Sequence, residues 1–213
     1  MLGCVLVILW LTIFSIVSYL CCSFLGLKTA LLRTIFVWTF CMVFVGIFEL
    51  LLLFYHEYLH KKGQYYYKKN ICYWNEDNKI SDMFSYKMYM DLYADYSLSD
   101  KRYCKKITNK GNRFVLLGEL THGFFCFLFA PIIFYYFIHF DELYIYLYSI
   151  MFVAIQFGLI IWYLASVFVE MYFVKNSKFW WPPLLWNVPW IIIPIYVIYY
   201  GIKEIGNPNP NSV

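Results

Sequence analysis

Long apolar runs separated by short polar links dominate the chain. The first, Gly3 to Leu27, carries no charge. A link with Lys28 and Arg33 leads to a second run, Thr34 to about Tyr58, which holds Glu49 and ends in FYHEYLHKK. A third, Arg113 to Phe140, is followed by the acidic turn Asp141–Glu142. The fourth, Leu143 to about Val174, contains Gln156 and, near its end, Glu170. Lys175 to Lys178 join it to a fifth, Phe179 to Tyr200, which carries Pro182, Pro183, Pro189 and Pro194. A membrane-crossing helix needs about 20 apolar residues. The pattern therefore predicts an all-α membrane protein with five transmembrane helices, at about 3–27, 34–58, 113–140, 143–174 and 179–200. The first run lacks a positive leading segment and is too long for a signal peptide's apolar stretch, so it reads as a retained span. The prolines of the fifth are tolerated where neighbouring helices satisfy the freed carbonyls, which places that helix, kinked, inside the bundle.

Between the second and third runs lies the one substantial polar segment, Lys61 to Arg113. It lacks the apolar periodicity of a domain and reads as a loop with short interfacial helices, LYADYSLSDKRY being one candidate. The organisation expected is a first helix and link over 1–33, a four-helix domain over 34–204 and a disordered tail over 205–213.

Composition supports this class: 62% of residues are hydrophobic and 14% charged, a balance foreign to soluble domains. The net charge of +4 comes without a basic cluster interleaved with aromatics, which excludes nucleic acid as an arguable partner. With five spans, 14 of the 17 Lys and Arg fall on the side of the polar segment, against Lys28, Arg33 and Lys203 on the other. The positive-inside rule then puts that segment in the cytosol. Five of the seven cysteines lie in apolar runs; Cys72 and Cys104 share the polar segment. They would pair in an oxidising lumen and stay reduced in cytosol, and no zinc-framework spacing is present.

Ionisable groups inside the apolar runs are the candidate chemistry. Glu119 and His122, three residues apart, share a helix face. Each costs roughly 2.5–3.5 kcal/mol to insert, so such groups face a bundle interior or wet cavity, unless they lie near enough to the interface to reach water. Glu49 lies deep in the second run, and Asn187 and Trp190 share a face of the fifth. Trp180, Trp181 and Trp186 suit the interfacial belt better than Trp190. Together these residues offer an acid, a base, an amide and an aromatic face in apolar surroundings, a set suited to proton transfer on a hydrophobic ligand with stabilisation of a cation. A separate string, His56-Glu57-Tyr58-Leu59-His60, matches the HExxH of membrane zinc proteases. It needs a third ligand, for which Glu119 or His122 would have to reach it; otherwise it is a polar helix end at the membrane edge.

Three stretches resemble the emopamil-binding protein family, also called the EXPERA domain, which includes sterol delta-eight to delta-seven isomerase and the sigma-two receptor. Leu92 to Tyr103 is similar to the family's L-W-K-E-Y…D-S-R-Y. Gly158 and Glu170 match its glycine and glutamate twelve apart. Asn187-x-x-Trp190-x-x-x-Pro194 matches the N-x-x-W-x-x-x-P of the isomerase branch, which the sigma-two branch does not keep. The resemblance covers most of Thr34 to Glu204. It departs in the second span, where the isomerases carry His-x-x-x-Glu: Glu49 falls at the His position and Leu53 at the Glu position. For the family's third-span glutamate, spacing to Pro131 selects His122, whereas the surrounding string selects Glu119.

The resemblance implies an endoplasmic-reticulum membrane protein, a dimer, that binds a sterol or lipophilic amine and uses no metal or organic cofactor. As an isomerase, it would protonate a ring double bond, stabilise the carbocation and remove a neighbouring proton. Glu49 with His122 or Glu119 would move protons and stabilise the cation, Trp190 would supply a cation–π face, and Asn187 and Glu170 would contact substrate. The same fold without turnover would be a sterol or amine receptor.

Overall fold

The computed structural model describes residues 3–73, 76–98, 100–169 and 187–207. Glu170, the Lys175–Lys178 link, the first part of the fifth run and the tail after Asn207 lie outside the described residues. Among those described, regular structure is helical, with no strand: α1 Gly3–Phe24, α2 Ala30–Lys69, α3 Tyr86–Asp95, α4 Lys110–His139, α5 Glu142–Val169 and α6 Pro189–Gly206. Three of them, α2, α4 and α5, are long and apolar enough to cross a membrane.

Capping sets their ends. Thr29 accepts from Leu32 N at 3.1 Å to start α2, and Asn109 accepts from Gly111 N at 2.9 Å to start α4. Asn70 closes α2 in the left-handed region at φ 55°, its N–H donating to the Tyr66 carbonyl. Pro189 begins α6, where its missing N–H costs nothing.

Packing runs in sequence, α2 on α4, α4 on α5 and α5 on α6, around a core that includes Ile35, Met42, Cys126, Ile133, Phe152 and Val197. At the α2–α4 crossing two glycines meet. A Cβ on Gly46 would lie 2.8 Å from Cys126 Cβ, and one on Gly123 would lie 3.1 Å from the Gly46 carbonyl oxygen. No side chain fits there without parting the helices, and this close approach carries Glu49 on α2 up to α4.

The polar segment departs from expectation. α2 does not stop near Tyr58 but kinks at Tyr55 and continues to Lys69. At the kink His56 Nδ1 donates to the Leu53 carbonyl at 2.9 Å, intruding on the helix's own hydrogen-bond ladder. Residues beyond α2 fold back along its far half through α3 and the 3-10 turns Ile80–Phe84, Tyr96–Leu98 and Lys101–Cys104. They enclose a second core of Leu59, Tyr66, Tyr73, Met88, Met90 and Tyr103. LYADYSLSDKRY is thus the end of α3 followed by two 3-10 turns, not one helix.

Buried and half-buried polar pairs fix this layer. Lys62 Nζ lies 2.7 Å from Glu76 and 3.7 Å from Asp91, Tyr58 donates to Asp91 at 2.6 Å, and Tyr66 donates to Glu76 at 2.6 Å. Arg102 grips Asp100 through Nε and Nη2 and reaches Ser166 on α5 at 3.0 Å. Cys104 is a free thiol, and its Sγ donates to the Lys101 carbonyl at 3.2 Å.

Candidate functional site

A cavity of about 270 Å³ opens between α2, α4, α5 and α6, with α3 and the turn after it closing one end. That volume is near the small end of the ~300–1,000 Å³ typical of ligand sites. Its walls are aromatic and aliphatic, with Tyr93, Tyr96, Phe114, Trp162 and Tyr163 among them. Its polar groups converge: Glu49, Glu119, His122, Gln156 and Asn187 all border it, beside Trp190.

Each comes from a different place in the chain. Glu49 (3% exposed) projects from α2 at the glycine seam, and His122 (7%) from the facing turn of α4. His122 Nδ1 is 2.6 Å from Glu49 Oε2. On the far side of the ring, His122 Nε2 is 3.0 Å from Gln156 Nε2 on α5. Gln156 Oε1 in turn accepts from the indole N–H of Trp38, on α2, at 2.9 Å. Trp190 stands edge-to-face against both His122 (4.9 Å between centroids) and Trp38 (5.1 Å).

Glu119 lies one turn before His122, and its carboxyl is within hydrogen-bond reach of Glu49. Two carboxyls joined in this way hold a proton between them. The polar segment supplies two further donors: Tyr93 OH points to Glu49 Oε1 at 3.3 Å, and Tyr103 OH donates to Glu119 Oε1. Burial, above all, pushes both phenols well above the usual tyrosine range, so they remain donors. The buried hydroxyl of Tyr163 has no hydrogen-bond partner among the described residues.

Glu49, Glu119, His122, Asn187 and Trp190 come together; Glu170 lies outside the described residues. The alternatives for the third-span position are both present, since Glu119 and His122 border the same cavity. Leu53, the aligned position for a second carboxyl on α2, is 45% exposed and does not line it. Glu119 supplies that second carboxyl from α4 instead, so the site holds two carboxyls and one imidazole.

The HExxH string does not join them. His60 Nδ1 donates to the Cys104 carbonyl at 2.6 Å and ties α2 to the turn beside it, while His56 serves the kink. Among the described residues the one group of three potential metal-binding side chains is Glu49, His122 and Cys126. There the sulfur lies 3.6 Å from Nε2 and 3.9 Å from Nδ1, beside the ring instead of along a nitrogen lone pair. Both ring nitrogens already have partners, so this group does not fit an ion. Trp38 carries no signal as a site residue, being one aromatic among many in an apolar run; Tyr93 and Tyr103 lie in the Leu92–Tyr103 stretch that carries a resemblance, but nothing in the sequence sets them against Glu49 and Glu119. Comparison with protein-family models, with characterised proteins and with solved structures finds no match.

Proposed function

We propose that this chain is an intramembrane isomerase of the sterol delta-eight to delta-seven type, working in the cavity between α2, α4, α5 and α6. The observation that carries the reading is the meeting of Glu49, Glu119 and His122 at an aromatic-walled cavity beside Trp190. Moving a ring double bond needs a proton delivered to one carbon, a cation held briefly, and a proton taken from a neighbouring carbon. Carboxyls supply and accept the protons. The anionic charge of the pair and the indole face of Trp190 stabilise the cation. Asn187, buried beside Trp190, offers an amide to orient the acid.

The same proposal places α1 and α6 across the bilayer with the three longer helices, five spans in all, in the endoplasmic reticulum, where sterols are modified. The resemblance of Asn187-x-x-Trp190-x-x-x-Pro194 to the isomerase branch supports that assignment.

Conversion of a delta-eight sterol by membranes bearing this chain, in cells without their own isomerase, tests the reading. Product that disappears with Glu49→Gln is expected. No product above background overturns it. A second reading, a receptor that binds sterol or lipophilic amine without turnover, is favoured by the completeness of the hydrogen-bond chain from Trp38 to Glu49. Saturable amine binding without product selects it.

A further inference from the structure

A single donor fixes where the proton of the imidazole resides. The indole Nε1 of Trp38 can only donate. At 2.9 Å it faces an oxygen, so the amide of Gln156 must present Oε1 to it. The Gln156 NH₂ then faces His122 Nε2 at 3.0 Å, and an amide nitrogen can only donate. His122 Nε2 must therefore be the bare, accepting nitrogen, and the ring's one proton sits on Nδ1, directed at Glu49 Oε2. The other polar neighbour of the ring, the Cys126 thiol, is too weak an acceptor to hold an N–H against that amide.

We infer that Trp38 and Gln156 are positioning residues that hold His122 as the neutral Nδ1–H tautomer, leaving the Glu49–Glu119 pair as the carrier of the site's one mobile proton. Within the pair the roles separate. Glu49 already accepts from His122 at Oε2 and faces Tyr93 at Oε1, the surroundings of a carboxylate. Glu119 is then the acid, sharing its proton with Glu49.

This deepens the isomerase reading, on which the following step rests. The Glu119 O–H adds its proton to one carbon of the double bond, and the π bond becomes a C–H bond and a cation. Glu49 takes a proton from the adjacent carbon, whose C–H electrons form the new double bond. Glu49 is now protonated and Glu119 ionised, and transfer across their hydrogen bond restores the starting state. His122 gives up no proton at any point; it orients Glu49.

The tautomer itself is measurable whether or not the protein turns anything over. Nitrogen-15 NMR of the imidazoles in lipid nanodiscs, between about pH 5 and 8 where an ordinary histidine titrates, reads each ring nitrogen directly; His122→Asn identifies the resonances. The wild type is expected to show a bare Nε2 and a protonated Nδ1 throughout. Gln156→Glu offers an acceptor to Nε2, and the bare-nitrogen signal of His122 should vanish. Gln156→Leu, close in volume and without a donor, should give a mixture of tautomers. A wild-type ring protonated on Nε2, or one that titrates in that range, overturns the inference. So do substituted proteins whose His122 signals match the wild type. Failure of the sterol assay with the expected spectrum would sink the reaction and leave the proton assignment standing.

Discussion

Trp38 has no acid–base chemistry, yet at the scale of the residue it decides how the titratable groups are used. Removing either carboxyl by an isosteric amide is therefore expected to be severe: general acid–base contributions run to about 10²–10⁴-fold. Glu119→Gln and Glu49→Gln should each lower delta-eight sterol conversion by that order.

Outside the apolar helices, Asp91 gives a pH signature. Burial, the largest influence, pushes its carboxyl above the ordinary value of 3.8, against the opposing pull of Tyr58 and Lys62. A raised folded-state value means more protons bound when folded than unfolded. The contribution of Asp91 to stability is fully present below pH 3.8 and is lost as pH rises through the raised value. Asp91→Asn, which still accepts from Tyr58, should flatten that part of the stability–pH curve, measured as protease resistance of the polar layer. Glu49, Glu119, His122 and Trp190 were legible in the sequence because charge, or a large aromatic three residues from an amide, stands out in an apolar run. Gln156 stood out too, but its role depends on Trp38, over a hundred residues earlier, and no local pattern links them.

Elements tell a complementary story. Apolar length gave α2, α4 and α5 their membrane stretches, but apolar length says nothing about where a helix stops in water. α2 passes its apolar end because HEYLHKKGQYYYKK contains good helix formers and its tyrosines and Lys62 find buried partners. The polar layer was illegible for a related reason: its core is built of Tyr and Met with paired Lys, Asp and Glu, which a hydropathy pattern scores as loop.

Gly123→Ala places a methyl 3.2 Å from Glu49 Cβ and 3.1 Å from the Gly46 carbonyl oxygen. Overpacking of this kind costs about 1–3 kcal/mol, and the parted helices should lose amine affinity as well as thermal stability. Arg102→Met leaves Asp100 buried and unpaired, a change that typically costs about 3–5 kcal/mol. Asp100→Leu added to it should recover part of the loss in a detergent melting assay.

For the whole molecule, orientation follows from helix count and charge. Five spans, as proposed, would put the polar layer, with 14 of 17 basic residues, on the cytosolic face. Membrane-impermeant maleimide applied from the cytosol should label Cys72, which is partly exposed, before buried Cys104. Labelling from the opposite side only would invert the topology.

The site is assembled from two parts of the chain: carboxyls and imidazole from the long apolar helices, and the tyrosines that hold the carboxyls from the polar layer. Occupancy and folding of that layer are consequently one equilibrium. Any compound that seats against Glu49 and Glu119 withdraws the layer from its open forms by mass action, by about 2.7 kcal/mol at a hundredfold excess over Kd. The protein thus carries its own reporter. Slowed tryptic cleavage at Lys105 and Lys106 would reveal a ligand before anyone knows what chemistry, if any, the pocket performs on it.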